Sequence, residues 1–273
     1  APLEGVGLEL IQFETAHIVG RLEERRALWR HFAFSARKNR LSTTILRGRP
    51  GTGKSVLAEW LCSTTHEKGF AQFLQIKHAR DARSQDGILT ALRIYFGLRE
   101  DTDVLSTVSE RLGLPDDDLL CQALVTHLSG AETSGYYSKA VMSHQERDHL
   151  LCRLLIHISE LRSLIVHLDD AQWGFDSLRL IHTLLDLNPR IRIHVLITVN
   201  NDELVEDSIA ANVLASFDEF RNVRTFELGP MSEEDCTSFV ESRANLSQDD
   251  VVELVQMSKG NPLFVREFLL SRL

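Results

Sequence analysis

Apolar positions along the chain follow two alternating rhythms. From Arg21 to Lys38, Leu22, Leu28, Trp29 and Phe32 recur at the spacing of a helix that hides one face. The next run, Thr43–Leu46, is short and continuous, as expected of a strand buried on both sides. A glycine-rich turn follows, then a helical stretch over Lys54–His66. Further strands are expected over Phe70–Ile76, Leu164–Leu168, Ile191–Val199 and Val223–Leu228. Helices are expected over Gly87–Phe96, Asp116–Leu128, Ser143–Arg162 and Ser177–Leu187. Residues 1–19 read as an extended arm, and Ser129–Ser138 as a turn-rich loop. After Pro230 the strands stop, and Ser232–Ala244, Gln248–Ser258 and Pro262–Leu273 read as three successive helices.

Strands alternating with helices predict an α/β fold, a parallel five-stranded sheet flanked by helices. The helical tail predicts a small all-helical subdomain, with the boundary near Leu228–Ser232. The expected division is an α/β domain over 1–230 and a helical lid over 231–273. Residues 98–138 fit no motif, and their place suggests an insertion above the sheet.

Composition narrows the class. The 273 residues suffice for a substantial core without disulfides or metal. The net charge of −9 repels phosphate backbones and argues against nucleic-acid binding by this segment. Cys62, Cys121, Cys152 and Cys236 form no CxxC pair and read as reduced thiols of a cytoplasmic protein. No apolar run reaches the ~18 residues of a membrane span. The first residues, APLEGVGLEL, lack the features of a signal peptide and an initiator Met, so the chain reads as a segment of a longer protein.

The chemistry begins at Gly48–Ser55, GRPGTGKS, which fits GxxxxGK(S/T) at every fixed position. Such a loop wraps phosphates with backbone N–H groups, and the helix that follows adds its positive end. Pro50, Gly51, Thr52, Gly53 and Val56 are the expected contacts around ATP or ADP. Lys54 is expected on the β- and γ-phosphates and Ser55 on Mg2+. An apolar strand before the loop and a helix after it supply the context that the motif requires.

LIVHLDD, Leu164–Asp170, is a buried strand that delivers carboxylates to the mouth of the sheet. Asp169 is expected to hold Mg2+ and Asp170 to polarise an attacking water; alternatively the two merely cap the next helix. Asn200, at the end of another strand, reads either as a γ-phosphate sensor or as a turn residue. His144 and His149 are five apart and would not share a helix face well, so no metal set emerges from the histidines.

Five segments in order resemble the signal-transduction ATPases with numerous domains, a branch related to AAA+ proteins. HIVGRLEE at His17–Glu24 is similar to that family's hhGRExE motif, which wraps the adenine. Gly48–Ser55 matches its Walker A, and LIVHLDDAQW at Leu164–Trp173 its Walker B with the following Gln-Trp. LGPMSEED at Leu228–Asp235 resembles its exit from the last strand, and GNPLF at Gly260–Phe264 its GxPLxL helical motif. The resemblance implies that Val19, Gly20, Arg21 and Pro262 border the nucleotide. Gly20, Gly260 and Pro262 also suit ordinary helix-terminal roles. Two departures stand out: Asn200 where many members carry Arg, and Leu263 where the AAA+ sensor-2 Arg is expected, with Arg266 one turn further on. Arg221 reads as a solvated residue or as a finger for a neighbouring subunit. The family usually continues into a winged-helix domain and effector regions.

The reading that follows is a slow Mg-dependent ATPase whose nucleotide state sets domain arrangement or oligomerisation of a larger signalling protein. Expected partners are effector domains of the same longer chain and further copies of the chain, without membrane or nucleic acid. An ADP-locked scaffold without turnover and a replication initiator or loader of AAA+ type are the alternatives, and a small-molecule kinase is a weaker one.

Overall fold

The computed structural model describes residues 18–81, 86–128, 143–188 and 190–271. Five parallel strands form its sheet: β1 (Ser42–Gly48), β2 (Gln72–Lys77), β3 (Leu164–Asp169), β4 (Ile193–Asn200) and β5 (Val223–Glu227). Their spatial order is β2–β3–β4–β1–β5. β4 thus separates β1 from β3, pairing Gly48 with Asn200 on one side and Leu168 with Ile197 on the other. This register sets the C-terminal ends of β1, β4 and β3 side by side.

Alternation within the strands feeds two different cores. Ile45, Val166, Leu168, Val195 and Ile197 point to one face, and Leu46, Ile165 and Leu196 to the other. The second face is covered by α1 (Leu22–Lys38) and α2 (Lys54–Glu67), which contribute Leu28, Phe32, Leu57 and Leu61. The first is covered by α3 (Asp86–Phe96), α4 (Val104–Leu112), α5 (Leu119–Leu128), α6 (His144–Leu161), α7 (Phe175–Leu187) and α8 (Ile209–Ser216). β3 and β4 are accordingly rich in apolar residues and buried almost throughout, His167 and His194 included.

The last helices, α9 (Glu233–Glu241), α10 (Gln248–Ser258) and α11 (Pro262–Leu270), enclose their own cluster of Met231, Cys236, Val240, Val251, Leu254, Val255 and Val265. Their starts are written locally. Ser232 and Ser247 accept N–H bonds from Asp235 and Asp250. Asn261 accepts from Leu263 and Phe264, with Pro262 in the first turn.

Some expectations shift. α4 and α8 lie where no helix is expected. The helix expected from Asp116 begins at Leu119, because the Asp118 carboxylate accepts the Leu120 N–H and caps it. The helix expected from Ser177 begins at Phe175, and the last one ends at Leu270. In the described part of the insertion expected over 98–138, Val108, Leu112, Leu120, Cys121, Leu124 and Leu128 are buried in the larger core that covers one face of the sheet. Residues 129–138, and 1–17 of the expected arm, lie outside the described residues. Cys62, Cys121, Cys152 and Cys236 are free and buried. Among the described residues no helix is long and apolar enough to cross a membrane.

Candidate functional site

At the C-terminal end of β1 the chain turns through Gly48–Gly53 and enters α2 at Lys54. Gly51 has φ +76, and a Cβ there would lie 2.5 Å from Asn261 Oδ1 and 2.8 Å from Leu263 Cβ. The loop therefore packs directly on the start of α11. Asn261 Nδ2 donates to Pro50 O at 3.3 Å, and Leu263 N to Gly51 O at 3.4 Å. Lys54 is 7% exposed and donates to Gly48 O and Arg49 O at 2.9 and 2.8 Å. Burial lowers its pKa, and the neighbouring Asp170 and Asp169 oppose that shift.

Asp169 ends β3 beside this loop. Its Oδ1 accepts from Ser55 Oγ at 2.8 Å and from Thr198 Oγ1 at 2.6 Å. His167 Nε2 lies 3.8 Å from the same oxygen. Asp170 follows in the left-handed region, φ +52, and its N–H donates to Thr198 Oγ1 at 3.0 Å. Burial raises the Asp170 pKa, Asp169 and Glu203 add to the rise, and Gln172 and Lys54 oppose it. Asn200 is 6% exposed; its N–H donates to Gln172 Oε1 at 3.0 Å, and its Oδ1 accepts the Asp202 N–H at 3.2 Å.

Ile18–Arg21 approaches from a third side. Arg21 also lies in the left-handed region, φ +56, and its N–H donates to Asp235 Oδ2 at 3.1 Å. Its guanidinium donates to Thr52 O at 3.2 Å, to Gly229 O at 2.5 Å and to Glu24 Oε1 at 3.0 Å. Arg21 thereby ties the phosphate loop to the strand exit and the first turn of α9. A Cβ on Gly20 would lie 2.3 Å from the Asp235 carboxyl carbon, so only glycine permits this approach.

These elements surround a cavity of 1290 Å³. Val19, Arg21, Pro50, Gly51, Thr52, Gly53, Lys54, Ser55, Val56, Asp170, Asn200 and Pro262 all line it. Gly20 does not, because it packs on Asp235. Asp169 stands behind Ser55 instead of on the wall. Ile18, Met231 and Phe239 add apolar surface near Val19 and Pro262, and Glu203, Arg243 and Arg266 add charge. Trp60 lines the wall on α2 beneath the Arg25 guanidinium, 4.7 Å from its ring centroid.

Arg221 is exposed at the N-terminal side of β5, the opposite edge of the sheet from the loop. His144 and His149 both sit on α6, where His149 Nδ1 meets Gln145 O at 2.9 Å. Among the described residues no cluster of three or more His, Cys, Asp or Glu is arranged for a metal. No sequence motif marks Glu203. It lies three residues past β4 in a polar turn, and no local pattern says that this turn folds back to Asp170.

The sequence pattern of the family described as "AAA ATPase domain" matches residues 17–198, well over half of the chain. No curated protein shows significant similarity to the chain. Among solved structures, Cdc6p from Pyrobaculum aerophilum is similar at 17% identity and a TM-score of 0.48, over 92% of this chain and 61% of that one. A chain of the E. coli MS115-1 HORMA:CdnC:Trip13 complex is similar at 12% identity and a TM-score of 0.49, over 90% of this chain and 76% of that one. AMPPCP-bound DnaA from Aquifex aeolicus is similar at 12% identity and a TM-score of 0.48, over 94% and 62%. The chain thus spans about three fifths of the Cdc6p and DnaA chains that it matches.

Proposed function

Because this chain belongs to the AAA ATPase domain family, we propose that it is the ATP-hydrolysing switch segment of a larger signalling protein, of the signal-transduction ATPase type. One observation carries this reading: the phosphate loop, Asp170 just past β3 and Asn200 line one cavity together with the start of α11, which hydrogen-bonds the loop itself. The phosphates of ATP or ADP would lie on Gly51–Ser55 with Lys54 compensating their charge, and the base beside Val19 and Pro262. The proposed division is a nucleotide-binding part over 1–230 and a helical lid over 231–273.

Ser55 Oγ and Asp169 Oδ1 lie 2.8 Å apart, an oxygen-only pair that suits Mg2+ completed by phosphate and water oxygens. When bound, that ion neutralises phosphate charge. Asp170 would take a proton from water as the water oxygen bonds to the γ-phosphorus. The bond from that phosphorus to the β–γ bridging oxygen breaks, its electron pair leaves on ADP, and inorganic phosphate carries the new oxygen. Asn200 and Arg266 would face the γ-phosphate side. Loss of that group would loosen the lid and so change how effector regions or further copies are held.

The hydrogen bonds from Asn261 and Leu263 to the loop favour a second reading, an ADP-locked form in which the lid holds product in place. One experiment separates the two. Nucleotide released on denaturation is identified, and Mg-ATP turnover is measured for wild type, Lys54→Ala and Asp170→Ala. Turnover lost in both variants supports the switch. Bound ADP without turnover supports the locked form, and absence of any nucleotide affinity overturns both.

A further inference from the structure

Gln172 sits in the 3-10 turn Ala171–Trp173 that follows Asp170, and it is 6% exposed. Its carboxamide is fully engaged. Oε1 accepts the Asn200 N–H at 3.0 Å, while Nε2 donates to Asp170 Oδ1 at 3.3 Å and to Glu203 Oε2 at 3.1 Å. The orientation of the amide is fixed by this set. A flip would set an NH2 against the Asn200 N–H and an oxygen against two carboxylates. Glu203 takes a second donor from the same turn, Trp173 Nε1 at 3.3 Å. Asp170, Asn200 and Glu203 all line the nucleotide cavity.

We propose that Gln172 is a positioning residue, whose single side chain holds the Asp170 and Glu203 carboxylates at a fixed separation and locks both to the end of β4. The inference rests on the hydrolytic reading and names a part of its machinery. The Asp170 backbone is already pinned through Thr198, so what remains to be set is the direction of its carboxylate. Two carboxylates that share a cavity repel each other, and a neutral NH2 between them is the group that holds both without neutralising either. An apolar side chain of similar size would leave the Asn200 N–H unpaired and both acids undirected. A glutamate would keep an acceptor for that N–H but face the pair with a third carboxylate.

The test compares wild type, Gln172→Leu, Gln172→Glu and Asp170→Asn in the full chain. Turnover of Mg-ATP, ADP affinity and the emission of Trp173 in nucleotide-free protein are measured, with Trp173→Phe as the subtraction control. A misdirected carboxylate lowers kcat by about 10- to 100-fold in both Gln172 variants while KM and ADP affinity stay within about threefold of wild type. Trp173 emission shifts in both, because Glu203 loses one of its two donors. Gln172→Glu carries the test if Gln172→Leu fails to fold, since it retains the acceptor for the Asn200 N–H. Wild-type kcat in the Gln172 variants, unchanged Trp173 emission, or ADP affinity falling in step with kcat overturns the inference. If turnover dies with Asp170→Asn but survives at position 172, the inference alone fails. If wild type itself does not turn over, the hydrolytic reading and the inference fall together.

Discussion

His194 lies on β4 at 1% exposure, its Nδ1 2.7 Å from Ser42 Oγ and its ring edge-on to His31 at 5.4 Å. Burial, with His31 adding to it, lowers its pKa to about 3; burial and Arg224 lower that of His31 to about 4. Both rings are therefore neutral in the fold. The unfolded chain takes up protons below about pH 6.5 that the fold refuses, so stability falls as pH drops from there toward 4. The expected slope is about 1.4 kcal/mol per pH unit from His194. Urea midpoints at pH 7.5 and 5.0 measure it, and His194→Gln should flatten the difference; equal wild-type midpoints would contradict it. At this scale the phosphate loop and the acid pair were legible, since a motif with fixed spacing names its own residues. Glu203 and Asp235 were not, because each acts across the sheet or from a separate helix, on partners that no sequence period connects.

α11 is an element whose start does two jobs. The Asn261 carboxamide oxygen caps the helix, and its nitrogen holds Pro50 O. Asn261→Ala should cost about 1 kcal/mol of stability from the lost cap, and should also speed ADP release, read as the off-rate of a fluorescent ADP analogue. A stability loss with an unchanged off-rate would restrict Asn261 to the cap. The elements that were legible include the long helices and the buried strands β3 and β4, and also the short, unburied β5. α1, α2, α6 and the five strands lie within a few residues of their expected places. α4 and α8 were missed because each is short; in VLSTVSERL the core-facing Val104, Leu105, Val108 and Leu112 do recur at helical spacing, while the apolar residues of IAANVLAS form no single stripe.

Over the whole molecule, hydrogen bonds among the described residues join the helical tail to the sheet part at two points, Asn261 and Leu263 on the loop and Asp235 on Arg21. Asp235→Ala frees the Arg21 N–H and should loosen the second point while the phosphate loop keeps its contacts. Faster cleavage near Leu228–Ser232 in limited proteolysis, with ADP affinity reduced by less than in Lys54→Ala, is the expected result. Proteolysis indistinguishable from wild type would remove Asp235 from that role. The alternation of strands and helices was enough to anticipate a parallel sheet, but not its order, since nothing local in β4 says that it enters between β1 and β3. That order has a consequence for biosynthesis. β1 is complete by residue 48, yet its two neighbours begin at residues 193 and 223. A chain still emerging from the ribosome therefore carries a strand with neither edge paired for some 140 residues of synthesis, tens of seconds or less at ~5–20 residues per second. Sheet closure must be late, and the nascent chain is expected to be a client of holding chaperones until β4 arrives.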